Sequence, residues 1–470
     1  MSLAAHSVDQ ASGLAPDLHD RDVVFAQMRD RLGARLGSPG ADDHSRATAP
    51  AETIDVIDMF SGCGGMSAGF KHVNHIADWS VPVFRHVLAI DIDEPANRTY
   101  ARNVGLEPTN ADIHELANTP DLFDELIEKS ERNPDNPLVL IGCAPCQGFS
   151  SHRNSAGADD PRNNLFVDFA RIAARLQPDY VIVENVPEIL TNRYWSVVRR
   201  AREILAEAGY DTHLAAHNMA EFGVPQERFR AVLTGARTVF HGPAPMRRRD
   251  DFSTVRDAIA DLPPIEAGVK DPSDPMHRTA GHRASTIETI RAVPRDGGSR
   301  PAGTGPKSLQ ALAERQGKSG YEDVYGRLGW DKPAITITAY SRNPASGRYV
   351  HPEQNRGLSI REAACLQSFP KDYLFEGTFD QTFRQIGNAV PPVFAAHLAI
   401  SVLEHHAMSG TNSSSANQPE GPRKGTATGI MQPIGESFSR LIPALKAGTR
   451  RLSDQPVDDQ VASPRKRRGA

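Results

Sequence analysis

Cysteine is scarce in this chain: Cys63, Cys143, Cys146 and Cys365 are all there are in 470 residues. Thiols spread so thinly cannot make a disulfide framework, which suits a reducing compartment. A structural zinc needs four ligands in paired spacing, and no second CxxC or HxxxH answers Cys143 and Cys146, so no metal is expected. Long apolar runs are also missing. None approaches the roughly 20 residues that span a bilayer, and the N-terminus has no charged-then-apolar signal pattern. The expectation is a cytoplasmic protein with no membrane partner. Excess charge of one sign is missing too: 53 Lys and Arg stand against 58 Asp and Glu. The resulting net charge of −5 argues against indiscriminate coating of nucleic acid, while leaving room for a local basic cleft.

What is present is an ordinary globular composition, 39% hydrophobic and 24% charged, long enough for two or three domains. Residues 1–52 are rich in Ala, Gly, Asp and Pro, with one helical pattern in "DVVFAQMRDRLGARLG", and read as a partly disordered extension. At the other end, residues 408–470 turn polar. From Glu420 onward ten Lys and Arg face five Asp and Glu, which predicts a disordered basic tail.

Between these ends, short β-branched runs such as "TIDVIDMF", "RHVLAIDID", "LVLIGCA" and "DYVIVENV" alternate with amphipathic segments. That pattern predicts an α/β fold with a parallel, doubly wound sheet covered on both faces. From Pro243 to Tyr321 the pattern breaks into prolines, histidines and arginines and reads as a smaller inserted domain. Order returns with "YGRLGWDKPAITITAY" and closes on "QIGNAVPPVFAAHLAISVLEHH", whose last part has helical period; no internal repeat is present.

The first strand runs into Phe60-Ser61-Gly62-Cys63-Gly64-Gly65 and then a helix. Glycines at such a turn let backbone approach a ligand and offer helix N-terminal N–H groups to it. The next strand ends in Asp91-Ile92-Asp93, and an acid at that tip is where doubly wound folds hold ribose hydroxyls; Asp112 follows in "NADIHE". Together these point to an adenosine-containing cofactor without a P-loop lysine, with NAD and S-adenosylmethionine both open.

In "LVLIGCAPCQGFS" the CxxC spacing raises a redox dithiol as an alternative. Pro145 stiffens the turn and holds Cys146 at a strand's C-terminal edge, where open α/β sheets bind ligands. Cys143 ends the strand, where a cysteine usually serves as a small packed hydrophobe. The next strand carries Glu184 and Asn185 to the same edge, and "VPQERFRAVLTG" alternates Gln226, Arg228 and Arg230 along one strand face.

The blocks "DMFSGCGGMSAGF", "APCQGFS", "ENVPEIL", "QERFR", "YGRLGWDKPAITIT" and "REAACLQSFP…RQIGNAVPP", in this order over residues 53 to 406, resemble the cytosine-C5 DNA methyltransferase family of bacterial type. The resemblance implies a Rossmann-like S-adenosylmethionine-dependent fold. Its catalytic and cofactor-binding domain would occupy 53–237 plus 385–407, with a target-recognition domain over 238–384. It implies Cys146 as the covalent nucleophile on carbon 6 of cytosine, Glu184 on the N3 edge, Arg230 orienting the base and Arg228 in support. For S-adenosylmethionine, which becomes S-adenosylhomocysteine, it implies Phe60, Gly62, Gly64, Gly65, Asp91, Ile92, Asp112, Ile113, Pro145, Asn388 and Val390; Asp91 stands where Glu is commoner. For DNA it implies Gln147, Ser150, Arg153 and Arg162, in or beside the Gly-, Ser- and Asn-rich segment that follows Cys146 and reads as a loop closing over DNA. Base reading would fall to "MRRRD", "MHRTAGHR" and "RDGGSR". The implied partner is double-stranded DNA, bound by a monomer in the cytoplasm at the nucleoid, with a restriction or phage-defence system as the setting. The alternatives are the related tRNA-methylating enzyme, whose cysteine-phenylalanine-threonine signature is not seen, and the CxxC oxidoreductase.

Overall fold

The computed structural model describes residues 53–76, 82–145, 164–316, 323–412 and 423–446. The expected helix within residues 1–52 lies outside them. Ten strands are described, β1 (Ile54–Met59), β2 (Phe84–Asp91), β3 (Thr109–Asn110), β4 (Leu138–Cys143), β5 (Tyr180–Asn185), β6 (Asp211–Asn218), β7 (Gln226–Glu227), β8 (Phe229–Ala236), β9 (Ala334–Ile335) and β10 (Ala427–Gly429). Eight of them form one sheet in the order β10-β6-β8-β5-β4-β1-β2-β3.

The strands read continuously apolar because helices cover both faces. Ile54 and Val56 of β1, Val139 and Ile141 of β4 and Ile182 of β5 join a cluster with Phe70 and Phe394. These two aromatics lie on helices α1 (Gly65–Ile76) and α6 (Pro392–Asn412). The alternate residues Ile57, Leu140 and Val183 face the other way, onto Phe169 and Val198. Helix α2 (Glu94–Val104) follows β2, Phe169 belongs to α3 (Leu165–Leu176) and Val198 to α4 (Trp195–Glu207). Strands β1, β2, β4 and β5 run parallel, whereas β8 inserts antiparallel between β5 and β6. Chain order reverses at β1, which has β2 on one side and β4 on the other, so a cleft opens beyond their carboxyl ends.

The chain returns to this cleft late. Helix α5 (Phe379–Asn388), opened by a Thr378–Gln381 capping box, leads into the Ala389–Val390 turn and then α6. A Cβ on Gly65 would lie 2.4 Å from the Val390 carbonyl, and one on Gly69 would lie 2.5 Å from both Ala395 Cβ and the Pro392 carbonyl. Those two glycines set how closely α1 and α6 approach.

Several expected boundaries differ. Residue 385, the expected start of the returning catalytic segment, falls inside α5. An 18-residue window within residues 379–409 is apolar enough for a membrane span by length and composition alone, and 89% of it is buried inside the protein, as in a core helix. The expected disordered tail from 408 onward is also corrected. Helix α6 runs to Asn412, and residues 423–446 carry β10, which pairs parallel with β6, and a short helix Ile442–Lys446. Their polar composition hid this, because the order comes from an open sheet edge and not from a local apolar period.

Gly69→Ala is expected to destabilise by about 1–3 kcal/mol through overpacking against backbone, read as a lowered denaturation midpoint without a change in m-value.

Candidate active site

Adjacent strands bring the candidate site residues together. In the β4–β5 register Cys143 lies directly opposite Glu184, so the two side chains leave the same face side by side. The Cys143 thiol donates to Glu184 Oε2 at 2.9 Å. Cys143 does pack against the apolar cluster as expected, but its thiol is committed to a carboxylate in the cleft, which a purely hydrophobic role would not produce. From the antiparallel side, Arg230 places Nε 2.8 Å from Glu184 Oε1; the two side chains are 12% and 3% exposed. That contact is off the direction of a hydrogen bond, and Oε1 has no aligned donor among the described residues. Asn185 donates from Nδ2 to the Ala144 carbonyl at 3.2 Å, bracing the chain where β4 ends and Pro145 begins.

Gln226, Arg228 and Arg230 do not act as one row. Arg228 is buried, with Nη1 donating to the Ile337 carbonyl and Nη2 to the carbonyls of Gly387 and Ala389. Gln226 donates to Gln367 and the Leu366 carbonyl and accepts from the Ile337 N–H. Both side chains are positioning residues that tie β7–β8 to the returning segment, and only Arg230 reaches the carboxylate.

The whole cleft is about 240 Å³, and beyond these residues it is lined by the glycine turn, the tip of β2 and the 384–390 segment. Phe60 adopts φ 55, a left-handed conformation uncommon for a bulky residue, and Gly62 and Gly64 follow at φ 52 and 85. Asp91 ties this turn to β2 by accepting the Gly62 N–H at 2.8 Å on one oxygen and the Asp93 N–H at 2.8 Å on the other. Burial, opposed by those two hydrogen bonds, raises its pKa. Ile92 beside it is 66% exposed, an apolar platform facing the cleft. Pro145, Asn388 and Val390 also line the cleft. Asp112 and Ile113 do not: Asp112 caps a short helix through the His114 N–H, and Ile113 is buried in the core.

Sequence reasoning passed over Asp58, Ser61, Asp93, Arg384 and Gln385, which line the same cleft. A charged residue inside the apolar run "IDVIDMF" was the available signal for Asp58. It accepts from Ser67 Oγ at 2.6 Å, and burial pushes its pKa up to about 7, with the Ser67 bond opposing and Asp91 adding. Ser61 Oγ is buried with no partner among the described residues. Buried carboxylates, an unpartnered hydroxyl and an exposed isoleucine fit a cationic ligand that carries hydroxyls and a flat ring, as S-adenosylmethionine does. Cys146, Gln147, Ser150, Arg153 and Arg162 lie outside the described residues. Within the insert, His277 and Arg300 are buried and bonded internally, to Ser359 and the Pro263 carbonyl and to the Thr304 carbonyl, whereas Arg248, Arg283 and Arg295 are exposed.

The fold and cleft define an enzyme of the doubly wound α/β class. Residues 54–404 match the family model for C-5 cytosine-specific DNA methylases, and the chain belongs to that family. It is 33% identical over 354 residues to the Type II methyltransferase M1.HphI of Haemophilus parahaemolyticus, covering 75% of this chain and 87% of that one. To the Type II methylase M.HgiDII of Herpetosiphon aurantiacus it is 33% identical over 357 residues, 74% and 94% of the two chains. Among solved structures, a DNA modification methyltransferase encoded within an E. coli prophage superposes with a TM-score of 0.56 at 23% identity, over 75% of this chain and 99% of that one. Membership of the family implies S-adenosylmethionine as methyl donor.

Two outcomes test the site's architecture. Replacing Arg228 with Met should cost about 2 kcal/mol or more in denaturant unfolding, because the Ile337 and Gly387 carbonyls lose this donor, whereas the Ala389 carbonyl keeps Gln367 Nε2. For Asp58, the ordinary value of 3.8 rises to about 7, so the folded protein holds a proton that the unfolded chain has released, and stability falls as pH climbs through that window. Asp58→Asn should therefore flatten the pH dependence of thermal unfolding between about pH 4 and pH 7, by at most about 4 kcal/mol, in the ligand-free protein.

Proposed function

We propose that this protein transfers a methyl group to C5 of a cytosine flipped out of a specific sequence in duplex DNA, through attack of the Cys146 thiolate on C6. The observation that carries this reading is the buried Glu184, held by Arg230 and Cys143 at the mouth of the cleft beside Pro145, one residue before Cys146.

Carbon 5 of cytosine is too poor a nucleophile to take a methyl group directly. A thiolate adding to C6 pushes electron density toward N3, and a proton delivered there leaves an enamine nucleophilic at C5. Glu184 Oε1, in ion contact with Arg230 but without an aligned donor among the described residues, is available to the N3 edge, and Arg230 fixes the carboxyl against rotation. S-adenosylmethionine supplies the electrophilic methyl. Loss of the C5 proton then expels the thiolate and returns the N3 proton to Glu184. Asp91 would hold the ribose and Ile92 the adenine face, with Phe60, Gly62, Gly64, Gly65, Asn388 and Val390 closing the cofactor side. Because a stacked base cannot reach this cleft, flipping is required, at a cost of a few kcal/mol.

Residues 238–384 would read the sequence, with exposed Arg248, Arg283 and Arg295 as candidates for phosphate or base contacts. The Type II relatives support a role in modification within a restriction system, in the compartment that holds the DNA.

The test is adduct formation with duplex DNA containing 5-fluorocytosine, which cannot lose its C5 substituent. Wild type should form a denaturation-stable adduct, Cys146→Ser none, and Glu184→Gln should form it about 100- to 10,000-fold more slowly. An adduct on Cys146→Ser at the wild-type level, or methyl incorporation into tRNA in place of duplex DNA, would overturn the reading.

A further inference from the structure

The family match ends at residue 404, yet the described chain resumes at Arg423 and runs along the back of the active-site strands to Lys446. Its first part is anchored at the sheet edge. Arg423 Nη2 meets Asp211 Oδ2 at 2.7 Å, and β10 pairs with β6 from Thr212 to Leu214. The buried Arg202 donates to the carbonyls of Thr428 at 2.9 Å and Ile430 at 2.8 Å.

The second part touches two catalytic segments. The Ile434 N–H donates to the Leu190 carbonyl at 3.0 Å, and Asn192 donates to the Gly435 carbonyl through its N–H at 3.1 Å and to Glu436 through Nδ2 at 2.7 Å. Leu190 and Asn192 belong to the turn that follows Glu184 and Asn185. Phe438, 1% exposed, packs in one cluster with Ile189 and Leu190 and sets its ring 5.6 Å from that of Phe229, the residue between Arg228 and Arg230. At the far end Lys446 pairs with Glu227, to which Arg249 also comes within 3.2 Å, and Arg249 donates to the Lys446 carbonyl at 2.7 Å.

We propose that residues 423–446 are a positioning strap for the reaction, with Phe438 as the residue that holds the Glu184 turn and the Arg230 strand in mutual register. Neither Phe438 nor Lys446 lines the cleft. They act through Leu190, Phe229 and Glu227, and they set the distance between carboxylate and guanidinium. This rests on the roles of Glu184 and Arg230 proposed above. The cofactor side is built on β1, β2 and the 384–390 segment, so the strap's effect falls on the chemical step and not on the affinity for S-adenosylmethionine.

The experiment compares full-length wild type, Phe438→Ala, Phe438→Leu and Lys446→Ala, with active sites counted by 5-fluorocytosine adduct formation. Phe438→Ala should lower kcat per titrated site about 10- to 100-fold, the scale of a displacement of about 1 Å in a reacting group. Its KM for S-adenosylmethionine should stay within about twofold of wild type, since removing an interaction made only in the transition state leaves substrate binding intact. Phe438→Leu should recover most of the loss, and Lys446→Ala, at a part-exposed ion pair, should move kcat in the same direction with unchanged thermal stability. An unchanged kcat per titrated site in both alanine variants, with only the folded fraction reduced, would overturn the strap's role. A wild-type protein that forms adduct and methylates cytosine keeps that outcome separate from failure of the underlying reading, which would appear as no adduct in wild type.

Discussion

Everything around the cleft depends on keeping one carboxyl group, Glu184, buried with its partners in place. A buried charge costs several kcal/mol unless its partners are in place, and removing one partner leaves the other uncompensated. Three strands supply what is needed here. Strand β5 carries the carboxylate, β4 sets the Cys143 thiol against one oxygen, and the antiparallel β8 brings Arg230 to the other. Had β8 been parallel, its residues would have met β5 in another register, and this arginine would not have reached the carboxylate. The reversed strand in an otherwise parallel sheet is therefore the geometric condition for the site.

The second requirement is closure from a distance. The 384–390 segment lies far along the chain from the glycine turn, and it comes to rest on it because Gly65 has no Cβ to hold it away, while Gly69 does the same for the start of α6. Arg228 then locks the arrangement by donating to carbonyls on both sides of the joint. The same guanidinium chemistry recurs in Arg202 at the sheet edge and in Arg327 within the insert, each spent on backbone carbonyls. Buried arginines of this kind take up backbone carbonyls that strand and helix ladders leave unpaired.

Much of the layout was legible before any coordinates. The β-branched runs became strands, and the glycine turn, Asp91, Glu184 and Arg230 meet in one cleft because open parallel sheets gather strand tips at a single edge. Cys143 was read as packing alone, since a strand's periodicity gives a face but not the neighbour opposite. Arg228 was expected to support the site, and it lines the cleft while its guanidinium, at the break between β7 and β8, is spent on the returning segment. Asp112 and Ile113 fell near the right strand and outside the cleft. The order in residues 423–446 was invisible to composition, as Thr, Gly and Ala hold a strand there only because β6 offers unpaired backbone groups.

The sequence by itself determined the class of sheet, the family and most of the residue types that line the candidate site, because hydrophobic period and motif order are local properties of a chain. Only the tertiary structure decided which of those residues touch: Cys143 on Glu184, Arg230 and not Arg228 on the same carboxylate, and a C-terminal segment behind both. Contacts of this kind depend on strand order, direction and register between segments far apart in sequence, and those are settled by the packing of whole elements against one another.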